Sequence, residues 1–242
     1  RVARIAAVWI AVFPTFIVWS SQLLKDGLVV FLLVTTMVMV LNLQKKFNYP
    51  ALAVLVFSLL AILSLRFYVA YMAVIAVVSS FIIGISHSNR SFVRNALVLI
   101  LVGLALVYFG VGQRASVEYE VFGNLERIQI SRLDLATSGE SGYGADADVS
   151  TTAGALATIP LGFIYLVFAP FPWEAQNLRQ AITIPEVLVW WALLPFLVVG
   201  LIYTIKNRLR NAFPILVFSF LLTLAYSIGQ GNVGAAYRQR TQ

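Results

Sequence analysis

The 242-residue chain has no cysteine, one histidine, ten acidic residues and only 11% charged residues. Without cysteine there is no disulfide framework and no thiolate metal site. The lone histidine, His87, lies in a loop beside two arginines and gives no histidine cluster for a metal. No nucleophile elbow, phosphate-binding glycine loop, dinucleotide fingerprint or zinc spacing occurs. A charged fraction this low sets the chain apart from ordinary soluble domains, where it is about 25%.

What fills the sequence is apolar residue in long runs. Sixty per cent is hydrophobic and the mean hydropathy is +0.89. Lipid demands such runs, because backbone groups inside a bilayer must be satisfied within helices. The expected fold is therefore all-α, a polytopic transmembrane helical bundle. Seven spans are expected, over Ile5–Trp19, Leu28–Leu43, Ala51–Leu65, Phe67–Ile85, Ala96–Gly112, Val187–Ile205 and Ala212–Ile228. Trp9 and Trp19 sit where interfacial aromatics belong. Only Arg66 separates the third span from the fourth, which predicts a tight hairpin with Arg66 at its tip. Pro160–Trp173 is too short to cross and reads as re-entrant or interfacial.

Seven of the ten acids fall in one Gly- and Ser-rich stretch, Gln113–Thr158. Apolar positions 117, 121, 125 and 128 recur at helical spacing within it. They predict one amphipathic helix over Val117–Leu135, lying on a membrane surface, followed by a loop over Ser138–Ser150. Asp146-Ala147-Asp148 has the spacing of a metal-binding pair. Thr151 and Ala157, however, stand where a calcium loop needs Gly and Glu. The chain thus divides into a first bundle (1–112), an acidic extracytoplasmic loop (113–158) and a last membrane section (159–242).

The net charge of +7 is not a nucleic-acid footprint, because basic residues between spans orient a membrane protein. Nine of them (Arg1, Arg4, Lys45, Lys46, Arg90, Arg94, Lys206, Arg208 and Arg210) can share one side with no acid at all. The positive-inside rule makes that side cytoplasmic and places the acidic loop outside. The first residue is Arg, not Met, no signal-peptide pattern precedes the first span, and the last residues stop just past an apolar run. The chain is expected to be an interior piece of a longer protein.

On the outward side, Lys25, Asp26, Arg66, Tyr68, Tyr237, Arg238 and Arg240 gather at span ends. Each alone is explained as an interfacial anchor. Together, Arg66, Arg238 and Arg240 could form a cationic pocket, since planar guanidinium groups grip phosphate oxygens in pairs. Asp26 reads equally as a general base, a metal ligand or the partner of Lys25 at a helix start.

Phe13-Pro14 followed by Trp19-Ser20-Ser21-Gln22-Leu23-Leu24-Lys25-Asp26 resembles a segment of bacterial multi-span envelope proteins. These are the GT-C-type glycosyltransferases and the O-antigen-polymerase-like proteins. Leu65-Arg66-Phe67-Tyr68, Ala169-Pro170-Phe171-Pro172-Trp173 and the stretch from Gly231 to Arg240 add to the likeness. The resemblance implies transfer or polymerisation of polyprenyl-linked saccharides at the outer face of the cytoplasmic membrane. It gives Arg66, Arg238 and Arg240 the diphosphate, with Lys25, Tyr68 and Tyr237 beside them, and makes Asp26 the base. It implies membrane lipid and a lipid-linked sugar as partners and no nucleic acid. It calls for no cofactor and leaves a divalent metal open. The acidic motif of the GT-C first outward loop is absent unless Asp26 stands for it. A transporter for the same anionic cargo, or a non-catalytic assembly subunit, is the other class of protein these features fit.

The cysteine-free chain makes the topology easy to test. Single cysteines introduced at Ser138 and Lys45 should differ in intact cells, with an impermeant thiol reagent labelling only the first; the reverse pattern would overturn the orientation.

Overall fold

A computed structural model describes residues 2–15, 17, 25–83, 89–137, 141–174 and 178–240. Trp19, His87, Ser138 and the 20–24 part of the Ser-rich segment lie outside them. The described residues are all-α with one isolated β-bridge and no strand. The helices are α1 (Val2–Val12), α2 (Asp26–Lys45), α3 (Tyr49–Leu65), α4 (Phe67–Ile83), α5 (Asn89–Tyr108), α6 (Val111–Phe122), α7 (Leu125–Thr137), α8 (Thr152–Phe168), α9 (Leu178–Gly229) and α10 (Val233–Gln239). Three helical stretches are long and apolar enough to cross a membrane: Asp26–Lys45, Ser91–Tyr108 and Ala181–Gly229. Tyr49–Leu65, Phe67–Ile83 and Thr152–Phe168 are shorter apolar helices, each about 25 Å long at 1.5 Å per residue. Among the described residues these three stretches fit membrane spans, and the expected spans 187–205 and 212–228 both lie within the third. Large side chains such as Phe31, Phe57, Val107 and Phe196 face outward, which is compatible with helices that meet lipid.

The chain forms two compact units. One comprises 1–27, 118–200 and 223–242, and the other 28–117 and 201–222. In the second unit, α3 and α4 form the expected hairpin. Pro50 sits in the first turn of α3, where its missing N–H costs nothing, and extended Arg66 (φ −149°) ends the helix. Ala51, Leu55, Ser58, Leu59 and Ile62 make the buried stripe of α3. Ala70, Ala73, Ala76 and Ser80 are buried on α4, and residues this small let helix backbones approach closely. Polar side chains join the other helices to α4. Gln44 Nε2 of α2 donates to Ser80 O (3.1 Å) and Oγ (2.7 Å), and Asn95 of α5 donates to Phe81 O (3.1 Å).

Four boundaries differ from the sequence expectation. The amphipathic helix over Val117–Leu135 is two helices, α6 and α7. The break is at Gly123-Asn124, where the Asn124 side chain accepts from Glu126 N (2.9 Å) and caps α7. Gly110, at φ +70°, turns the chain out of α5 in the left-handed region that glycine favours, so α6 starts at Val111. The short apolar run at Pro160 belongs to a 17-residue helix that starts at Thr152, capped by Thr151 Oγ1 accepting from Gly154 N. The basic connection Lys206–Arg210 is a kink rather than an open loop: α9 is two helices that meet at non-helical Arg208 (φ −139°, ψ 24°), within the stretch where the sequence separates its last two spans.

In the first unit, α8 and the end of α9 come into backbone contact. A Cβ on Gly162 would lie 1.8 Å from the carbonyl oxygen of Ser227. Gly162→Leu therefore has no low-energy accommodation, and overpacking costs about 1–3 kcal/mol or more. The expected result is a clearly lower thermal midpoint in detergent than for Gly200→Leu, whose Cβ position is open. Equal midpoints for the two variants would refute this packing.

Candidate functional site

The short helix α10 gathers the polar residues of the first unit. Asn232 starts it, its Oδ1 accepting from Ala235 N (3.1 Å). A two-residue pairing then ties the start of α10 to the acidic loop: Tyr143 N donates to Gly231 O (2.8 Å) and Val233 N to Ser141 O (2.9 Å). Residues 141–151 are therefore irregular, as the sequence implies, but fixed at one end. Tyr143 stacks on Tyr165 of α8 at 4.0 Å and is buried with Ala169 and Val233.

Around α10 lie three polar groupings. In the first, Asp26 is 2% exposed and pairs with the half-buried Arg238 (3.5 Å from Nε). Asp26 is also the first residue of α2, where a negative charge favours the helix dipole. In the second, the buried Tyr237 hydroxyl is 2.7 Å from Thr15 Oγ1, and Thr15 donates to the carboxylate of Glu186. In the third, Arg240 Nη1 donates to Val167 O (3.1 Å) and Ala169 O (3.2 Å) at the carbonyl end of α8. Its guanidinium lies over the rings of Tyr237 (4.9 Å) and Trp190 (5.1 Å). Trp190 and Trp191 donate to the same helix end, at Val167 O and Phe168 O.

A fourth grouping supports these three from α7. Arg132 is 1% exposed and donates from Nη1 to Ile228 O (3.2 Å) and to Gln230 O, at the carbonyl end of α9. Its guanidinium stands over the Tyr143 ring (5.4 Å). From the same helix, Gln129 Oε1 accepts from Val149 N (2.7 Å), fixing the far end of the acidic loop. Burial pulls the Arg132 guanidinium below its ordinary value, and Tyr143 and Asp146 oppose that.

Of the seven residues singled out from sequence, Asp26, Tyr237, Arg238 and Arg240 fall within this group. Lys25 is exposed just ahead of α2. Arg66 and Tyr68 belong to the other unit, where Arg66 Nη1 donates to the Tyr68 hydroxyl (2.9 Å) at the hairpin tip. Thr15, Glu186, Trp190 and Arg132 were not anticipated. Thr15 and Glu186 are 171 positions apart, and no local spacing announces such a pair. Asp148 is exposed, and its bonds to Ser150 hold its carboxyl below the ordinary value. Among the described residues, no three His, Cys, Asp or Glu side chains cluster as metal ligands would.

No family model matches the chain, and neither a curated protein nor a solved structure matches it.

The two buried tyrosines give the first unit a testable pH dependence. Burial pushes both Tyr143 and Tyr237 up to about 12 from an ordinary value of 10. Each therefore stabilises the fold fully below about pH 10 as a neutral phenol, and that contribution is lost as pH rises through about 12. Thermal midpoints should stay level to about pH 10 and fall beyond it. Tyr143→Phe, which cannot ionise but can still stack, should fall less steeply. Parallel curves for variant and parent would refute the assignment.

Proposed function

We propose that the chain is a multi-span membrane protein that transfers or polymerises saccharides carried on a polyprenyl phosphate or diphosphate. The observation that carries this reading is the gathering of two carboxylates and two arginines about one seven-residue helix, in a chain with few charges to place. Charges within a membrane domain are costly, and this makes them functional candidates by default.

The four charges divide the work. Arg238 retains solvent exposure beside its carboxylate partner, so it is the arginine best able to meet a phosphate oxygen. Asp26 serves as the counter-ion that holds Arg238 in place. Arg240 is anchored on the carbonyl end of α8 and contributes positive potential from there. Glu186 has hydroxyl neighbours in Thr15 and Tyr237, and it replaces Asp26 as the proposed base. In the reaction, an acceptor hydroxyl loses its proton to Glu186 and its oxygen forms the new glycosidic bond. The bond from the sugar carbon to phosphate breaks, and the leaving diphosphate keeps the electron pair, its charge met by arginine. For Arg66 and Tyr68, which belong to the second unit, a separate contact to an anionic lipid-linked substrate is proposed. The finer topology belongs to the same proposal: seven spans in a bacterial cytoplasmic membrane, the Pro160–Trp173 segment re-entrant, the acidic loop outside.

Purified full chain reconstituted in vesicles with a polyprenyl-diphosphate oligosaccharide should lengthen it, as read on gels. Glu186→Gln should lower the turnover at least a hundredfold while donor binding persists, and Arg238→Gln should weaken donor binding. Arg66→Ala in cells making the polymer separates an enzyme from a carrier. Loss of polymer with precursor facing outward supports transfer, whereas precursor held on the inner face supports transport. Unchanged polymer would remove Arg66 from any central role.

A further inference from the structure

The second unit holds nine Lys and Arg residues and not one Asp or Glu; all ten acids lie in the segments of the first. Three of those cations meet at a single place. The end of α2, the start of α5 and the stretch of α9 just past its kink enclose a cleft of about 240 Å³. Lys45, Arg94 and Arg210 line it together with Gln44, Ser91 and Asn211. Like charges converging on one cleft repel one another unless an anion lies among them. Among the described residues no carboxylate pairs with any of the three, and the unit's own sequence cannot supply one.

The donors are also arranged for a guest. Arg94 spends Nη1 on Lys45 O (3.1 Å), which orients the guanidinium across the end of α2. Its Nε is buried and has no hydrogen-bond partner. The Gln44 amide nitrogen is committed to Ser80, so Lys45, Arg94, Arg210, Ser91 and Asn211 are the groups left to face the cleft. Two arginines and a lysine around a space this small suit a tetrahedral oxyanion, since guanidinium binds phosphate oxygens in pairs. Lys45 and Ser91 are also the ends of two of the three stretches able to cross a membrane. Headgroup phosphates lie at the ends of such stretches, and basic pockets between spanning helices hold them.

We propose that this cleft is a phosphate-binding site, occupied by the headgroup of an anionic phospholipid or by a free phosphate ester. It shares no residue with the Asp26–Arg238 grouping, so it stands or falls separately from the transfer reaction. The test uses the full chain in neutral detergent, with thermal midpoint and native mass spectrometry as readouts. The probes are phosphatidylglycerol, phosphatidylcholine and inorganic pyrophosphate. Phosphatidylglycerol should be retained and should raise the midpoint, with phosphatidylcholine inert. The double variant Lys45→Gln, Arg210→Gln, which leaves the Arg94 bond to the backbone in place, should weaken retention at least tenfold. Its midpoint without added lipid should match the parent's, which separates lost binding from lost folding, and Arg94→Gln gives a second, independent loss. Pyrophosphate that binds and displaces phosphatidylglycerol would support the site and identify its source as soluble phosphate. Equal retention of the two lipids with no effect of pyrophosphate, or undiminished phosphatidylglycerol on both variants, would overturn the proposal.

Discussion

A helix that ends inside a protein leaves its last carbonyl oxygens without partners, and burying them unpaired is costly. The first unit contains two such ends and treats them alike. Arg132 meets the end of α9 at Ile228 and Gln230, and Arg240 meets the end of α8 at Val167 and Ala169. Each guanidinium also lies over an aromatic ring, Tyr143 for the first and Trp190 and Tyr237 for the second. A positive charge at the carbonyl end suits the helix dipole, and the flat fork can serve two carbonyls where an ammonium would serve as a point charge. These two ends tie together α7, α8, α9 and the end of α10. The acidic loop supplies Tyr143, the aromatic partner of Arg132, and Tyr237 of α10 is one of the aromatic partners of Arg240.

The two units answer the problem of charge in opposite ways. The first collects the acids and pairs some of them internally, as Asp26 with Arg238. The second has cations alone, so its neutralisation must come from outside its own residues. Within each unit the packing follows the same economy of space. Small residues such as Ala70 and Ala73 on α4, and Gly162 on α8, bring backbones close, and a few amide side chains such as Gln44 and Asn95 supply the polar contacts between helices.

Much of this was legible in the sequence because it is local. Hydropathy located the apolar helices, Arg66 between two apolar runs announced the hairpin, and the basic loops grouped by charge include Lys45, Arg94 and Arg210, which the fold does bring to one cleft. What escaped was of two kinds. Gly123-Asn124 and Lys206–Arg210 are short local signals whose outcome depends on packing: the first stops a helix with a side-chain cap, and the second makes a kink rather than an open loop. Thr15, Glu186 and Arg132 escaped for a different reason. Their partners are distant in sequence, and a carboxylate within an apolar run looks the same whether or not a hydroxyl from the far end of the chain will reach it.

The pairing of Ser141 and Tyr143 with Gly231 and Val233 has a consequence for synthesis. The ribosome makes the loop some ninety residues before its partner, and Tyr237 is made 222 residues after Thr15. Helices α3, α4 and α5 of the second unit need no such wait, since they meet consecutive neighbours. A nascent chain can therefore complete its hairpin early but cannot own its polar grouping until the last turn of α10 emerges. Those charges therefore stay apart until α2 to α9 have been made.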